Sequence, residues 1–347
     1  MTDLVSHDAA DDRLVKARRI CEQARAAETS GQCELADHLF DEAIQLLDKP
    51  PLDALLADAL RWKGTARRDR GDTQEASDLY QRSIEVARAT GAKSAEAHAL
   101  NCLGIVAQRR GDFQSAEVLY DRASTLGIRL QDHELLGMIG QNRGVMAQIR
   151  GDLREALVRY EDALRAFEIA KNQQAMTWVL NNLGMLHDTR GQDGESELAY
   201  VRGLDLAVRR SDKRMEGMIE LNRAHLRLKQ DRLDEAEACC SQAYRLAASR
   251  GDYLNAAEAL RCRGTIERRR GNCDGAHATL TLAISLANQC EDVLLSAEIL
   301  RDLGKVCVAR GERDKAKDAW QMARTGFLNL GANADVRDVS TRLDSLQ

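Results

Sequence analysis

Residues 97–136 read AHALNCLGIVAQRRGDFQSAEVLYDRASTLGIRLQDHELL, and the same punctuation returns every forty residues along the chain. Gly104 stands on a ladder with Gly64, Gly144, Gly184, Gly264 and Gly304, whose two gaps hold Ala24 and Ala224. A second ladder, seven residues on, reads Gly31, Gly71, Gly111, Gly151, Gly191, Asp231, Gly271 and Gly311. Further along each copy come a small residue (Ala116 here), a large one (Phe40, Tyr80, Tyr120, Tyr160, Tyr200, Cys240, Leu280, Trp320) and another small one (Ala123). Small residues at fixed offsets from one large residue describe two helices packed closely and stacked on copies of themselves. The expected fold is therefore an all-α solenoid of eight helix-turn-helix repeats.

Bulk properties agree with that reading. A single core for 347 residues would be unusually large, whereas a repeat needs to bury surface only against its neighbours. Two prolines in the chain, with abundant Ala, Leu, Arg and Glu, imply nearly continuous helix. A net charge of −5 argues against a nucleic-acid partner. No run of eighteen apolar residues exists, so no membrane partner is expected. Met1 to Asp12 is acidic and lacks an apolar run, so no signal peptide is expected either. The nine cysteines follow no framework spacing and read as small buried thiols in a reducing, cytoplasmic setting.

Within residues 97–136 the first helix should cover His98 to Arg109, with Leu100, Leu103 and Ala107 at helical spacing. Gly111 suits a helix C-terminus and Asp112 an N-cap. Gly91, Gly251 and Gly331 mark a second turn where one repeat hands over to the next. The unit resembles the tetratricopeptide repeat (TPR), on Leu103, Gly104, Gly111, Ala116, Tyr120 and Ala123, and again on Leu183, Gly184, Gly191 and Tyr200. The resemblance covers about residues 14–330. Two features depart from it: the period exceeds the usual ~34 residues, and the proline after the second helix is missing. The forty-residue form is similar to the arrays of kinesin light chains and of bacterial TPR signalling regulators. That resemblance implies a right-handed α-solenoid that binds peptides, proteins or small inducers and carries no chemistry of its own.

Domain bounds follow: a disordered N-terminus over 1–12, eight repeats over 13–333, and a C-terminal capping helix over 334–347 with Val336, Val339 and Leu343 on one face. Pro51 is placed to start a helix. Gly194, Ser196 and Gly203 make the fifth repeat irregular.

No catalytic set emerges. The seven histidines share no metal-ligand spacing with one another or with a cysteine pair, and no nucleophile, zinc or phosphate-binding motif is present. Neither an enzyme, a cofactor nor a metal is expected.

In TPR proteins the first helices line the concave surface, with inward residues beside the Leu-Gly pair. Mapped here, those offsets give Asn101, Gln141 with Asn142, Asn181 with Asn182, and Asn222. Carboxamides carry donors and an acceptor and can hold an extended peptide by its main chain, although they can equally bond within the array. Met138, Val145, Trp178, Met185, Met218 and Leu221 interleave as apolar anchors, with Arg61, Trp62 and Arg261 on the shoulders. The pattern implies a peptide or protein partner with apolar anchors and acidic flanks. The alternative is a regulatory sensor whose groove takes a signal peptide or small molecule; self-association is a third reading.

Overall fold

The computed structural model describes the backbone of residues 2–346 and side chains from residue 12 onward. Among these residues it contains seventeen helices and no strand. They pair as α1 (Thr2–Thr29) with α2 (Cys33–Leu47), α3 (Ala54–Asp69) with α4 (Thr73–Ala89), α5 (Lys93–Arg109) with α6 (Phe113–Leu130), and α7 (His133–Ile149) with α8 (Leu153–Ile169). There follow α9 (Gln173–Thr189) with α10 (Asp193–Arg209), α11 (Lys213–Lys229) with α12 (Leu233–Ala248), α13 (Tyr253–Arg269) with α14 (Cys273–Gln289), and α15 (Val293–Ala309) with α16 (Arg313–Asn329). A single helix, α17 (Asn333–Asp344), ends the series. The chain divides into two compact units, Met1–Ala175 and Met176–Gln347. The helix α1 takes in residues 2–12, where the sequence reads as disordered.

The glycine ladder is a packing requirement. A Cβ at Gly104 would lie 2.6 Å from Tyr120 Cε1, at Gly64 2.8 Å from Tyr80 Cε1, and at Gly144 2.5 Å from Tyr160 Cε1. Gly184 meets Tyr200 and Gly304 meets Trp320 in the same way, and Gly264 would place a Cβ 2.6 Å from Leu280 Cγ. The first helix of each pair thus rests on the large side chain of the second. The four tyrosines are at most 2 % exposed. Their hydroxyls reach polar partners at the rim: Tyr120 donates to Gln108 Oε1 (2.8 Å), Tyr160 donates to Gln148 Oε1 (3.0 Å), and Tyr80 pairs with Thr65 Oγ1 (3.1 Å). Where the ladder carries Ala224, the facing residue is the much smaller Cys240, in the same core cluster. The first pair is looser in size, Ala24 packing with Phe40.

Both turns end a helix in the left-handed region. The turn inside each repeat uses the second glycine ladder, from Gly31 (φ +74°) to Gly311 (φ +78°), with Asp231 (φ +59°) as its one non-glycine member. The turn between repeats is left-handed at Gly91, Gln131, Lys171, Ser211, Gly251, Glu291 and Gly331. Four of these side chains are not glycine, so three glycines alone betrayed this turn in the sequence. Asp112, Asp132, Asp152, Asp212, Asp252 and Asp292 then cap the following helices by accepting from a backbone N–H two or three residues into the helix. Pro51 does not start a helix: α3 begins at Ala54, capped by Asp53, which accepts from Leu55 N at 2.8 Å.

Within the first unit α1, α3, α5 and α7 touch in sequence, and in the second α11, α13 and α15 do. Among the described residues the second helices make no comparable set of contacts with one another. The first helices therefore lie on the inside of the curve within each unit. At the end, α17 buries Val339 and lays Val336 and Leu343 on Trp320 and Phe327, closing the last apolar face. Two of the three irregular residues of the fifth repeat are packed: Ser196 donates to the Gly184 carbonyl at 2.8 Å, and a Cβ at Gly203 would come 3.2 Å from Ile219 Cδ1, whereas Gly194 is exposed with nothing within 4 Å of a Cβ.

Gly144→Ala is expected to destabilise the protein by about 1–3 kcal/mol through overpacking. Combined with Tyr160→Cys, which recreates the Ala224–Cys240 pairing, the two losses should fall short of their sum by about 1 kcal/mol or more. Urea unfolding of the four proteins checks this; strict additivity would disprove the glycine–ring contact as the determinant.

Candidate functional site

The amide residues do not stand as an open ladder. Asn101 and Asn181 are each 3 % exposed, and each is bonded by the amide one repeat further on. Asn142 Nδ2 donates to Asn101 Oδ1 at 3.1 Å, and Asn222 Nδ2 donates to Asn181 Oδ1 at 2.8 Å. The inner amide of each pair is thus a structural group and the outer one is half-buried at the surface of the first helices. Gln141 and Asn182 are also half-buried on that face. In the second unit Met185 is 41 % exposed, while Trp178 and Met218 pack partly on the core around Tyr200 and Ile219. Arg214 lies 5.9 Å from the Trp178 ring centroid. In the first unit Trp62 lies between the guanidinium groups of Arg25 (4.9 Å) and Arg61 (5.5 Å) and lines a cleft of about 540 Å³ with Glu22, Glu28 and Thr65.

The arginines of the expected shoulders carry counter-ions of their own. Arg61 is paired with Asp58 at 2.8 Å. Arg261 sits among three carboxylates, Glu258 (2.6 Å), Asp302 (3.4 Å) and Glu298 (3.6 Å). Arg301 is held by Asp335 at 2.5 Å. These cations are neutralised by the protein itself, so they leave no basic flank for an acidic ligand. The missed residues were available to sequence reasoning: an acid stands three positions before Arg61, Arg223, Arg261 and Arg301, the spacing at which helix side chains meet.

Comparison with known proteins agrees with this geometry. Residues 55–129 match the model of the tetratricopeptide repeat family. That segment consists of tetratricopeptide repeats. The fold of the chain is similar to the crystal structure of a STAND signal-transduction ATPase with a TPR sensor from Pyrococcus horikoshii, at 14 % identity and a TM-score of 0.73. That match covers 94 % of this chain and 49 % of the other, so this TPR chain spans about half the length of that ATPase. A Rap protein complexed with competence and sporulation factor is similar at 14 % identity, 97 % and 98 % coverage and a TM-score of 0.59. The Rap conjugation gene regulator of plasmid pLS20, in complex with the Phr* peptide, is similar at 16 % identity, 83 % and 78 % coverage and a TM-score of 0.57. At these identities the likeness is one of fold. No curated protein matches the sequence.

Two histidines on the first helices of the TPR protein are tuned in opposite directions. Burial, with the Arg61 guanidinium, holds His98 below the ordinary imidazole range although Asp132 lies 3.1 Å away. At His225 burial works the same way, but the carboxylate of Glu258 at 3.3 Å outweighs it and raises the value. Glu258, buried yet bonded to His225 and Arg261, is held down to about 2. No helix among the described residues is long and apolar enough to cross a membrane.

The signs of these shifts give a pH test. Raised, His225 contributes stability below about pH 6.5 that is lost as pH rises through its folded value. Depressed, His98 contributes stability above about pH 6.5 that is lost as pH falls through its folded value. Melting temperatures of His225→Gln and His98→Gln, read against wild type from about pH 5 to 8, should therefore diverge. The His225 deficit should be largest at the acid end, the His98 deficit at the alkaline end; parallel curves would disprove the assignment.

Proposed function

We propose that this TPR protein is a non-catalytic scaffold that binds peptides or proteins along its first helices, and that it acts in the cytoplasm. One observation carries the reading. Asn142 and Asn222 each use their amide N–H on the buried amide beneath. Among the described residues the carbonyl oxygen of each half-buried side chain is then the available acceptor. Such an acceptor suits the main-chain N–H of an extended peptide, which needs no particular sequence. In the second unit Trp178, Met185 and Met218 flank Asn222 on α9 and α11 as apolar anchors, the residue types that accept varied partners. The peptide in the complex of the pLS20 regulator supports the same class of occupant by fold analogy. Because Arg61 and Arg261 are internally paired, the partner is recognised by main chain and apolar groups.

The reading is tested by selecting displayed random peptides against the full chain and measuring the selected peptides by fluorescence anisotropy. Asn182→Ala combined with Met185→Ala should weaken binding at least tenfold, with helicity unchanged. Leu198→Ser, on the exposed side of α10 (62 % exposed), should leave it intact. Loss in the α10 variant alone would move the site to the second helices; no enrichment of any peptide would overturn the peptide reading.

A further inference from the structure

Three positions recur at the junctions between repeats: one on the second helix, one thirty residues later on the next first helix, and one five beyond that at the turn; at two junctions all three side chains meet. Between the first and second repeats these are Asp37, Arg67 and Asp72, and the central arginine joins the other two, at 2.7 Å and 3.6 Å. Between the fifth and sixth, Glu197 meets Arg227 at 2.6 Å. Within the fifth repeat the last two positions are His187 and Gln192, whose Nδ1 and Oε1 lie 3.1 Å apart. At the junction of the seventh and eighth repeats the set becomes His277, Cys307 and Glu312. One nitrogen, one sulfur and one carboxylate oxygen there lie within 4.8 Å of one another. No guanidinium occupies the central position, where Cys307 is 2 % exposed.

We infer that His277, Cys307 and Glu312 form a binding site for a divalent transition-metal ion of the zinc type, with water as fourth ligand. The ligand set is that of borderline metals: imidazole nitrogen, thiolate and carboxylate, at about 2.0–2.3 Å from the ion. Tetrahedral ligands at those lengths stand about 3.3–3.7 Å apart, so closure needs a contraction of about 1 Å. His277 and Glu312 are half-buried and can supply it by rotation. Glu312 is placed for the purpose: it occupies the N-cap position of α16 yet makes no side-chain cap hydrogen bond, and its buried Oε2 has no hydrogen-bond partner. Its charge is held by Arg310 (3.2 Å) and Lys315 (3.4 Å); Lys315 is 66 % exposed and free to swing away as the ion takes over. Burial and the neighbouring Glu312 push the Cys307 thiol up, so metal binding exchanges the thiol proton, released to solvent, for the ion. The ion would tie α14 to both helices of the last repeat, the role the Arg67 guanidinium plays between the first two.

The test is to titrate the full chain, reduced and stripped of metal, with Co²⁺. One equivalent should generate a thiolate-to-cobalt charge-transfer band together with four-coordinate d–d absorption, and Zn²⁺ should abolish both. Cys307→Ser should lose the charge-transfer band. His277→Gln, at a half-exposed position that the fold does not require, should weaken Co²⁺ binding at least tenfold while retaining the wild-type far-ultraviolet spectrum. No charge-transfer band in the wild type would overturn the inference. So would a band that survives in Cys307→Ser, or equal Co²⁺ affinity in His277→Gln.

Discussion

The contact on which the structure depends is that between a glycine of the first helix and a ring or branched side chain of the second. Without a side chain at Gly104 or Gly144, the backbone comes down onto Tyr120 or Tyr160, and the tyrosine fills the space between two helices and the next repeat. Interiors are close-packed, so a single added methyl group at such a point displaces either the ring or the helix. The separation of the two helices, the placing of the Tyr120 and Tyr160 hydroxyls beside Gln108 and Gln148 and the position of the following turn are consequences of that one approach. At Ala224 the extra methyl group is admitted because the facing residue is the small Cys240.

Positions governed by this contact were legible in the sequence because the packing is repeated, and repetition turns a spatial constraint into a period. The Gly-Asp turns were legible for the same reason. The turns at Gln131, Lys171, Ser211 and Glu291 were not, because the neighbouring repeats impose the left-handed backbone and the residue itself does not announce it. The helix start at Ala54 was missed because a proline was read as the first helical residue, whereas Asp53 provides the cap.

The face proposed for binding was legible as a set of positions and not as a set of contacts. Sequence offsets located Asn101, Asn142, Asn181 and Asn222 on one face, but only the structure pairs each inner amide with an outer one in the following repeat. The arginines were misread for a related reason: their acidic partners stand one helical turn away or in the next repeat, and charge counted along the sequence does not reveal charge balanced in space. The cluster at His277, Cys307 and Glu312 escaped a search for metal motifs because such motifs presume ligands close in sequence, and here thirty residues separate the first two.

The polar links between first helices have their own rhythm. Asn101 with Asn142, Asn181 with Asn222, and Arg261 with Asp302 recur every eighty residues, while Leu221 and Cys262 share an apolar cluster between two of them. The polar register of this array is thus a double repeat. Removing the sixth repeat alone would set Asn181 against Cys262 and leave a buried carbonyl oxygen without its donor, whereas excising the fourth and fifth together would bring the amide of Asn222 into the register that Asn142 holds.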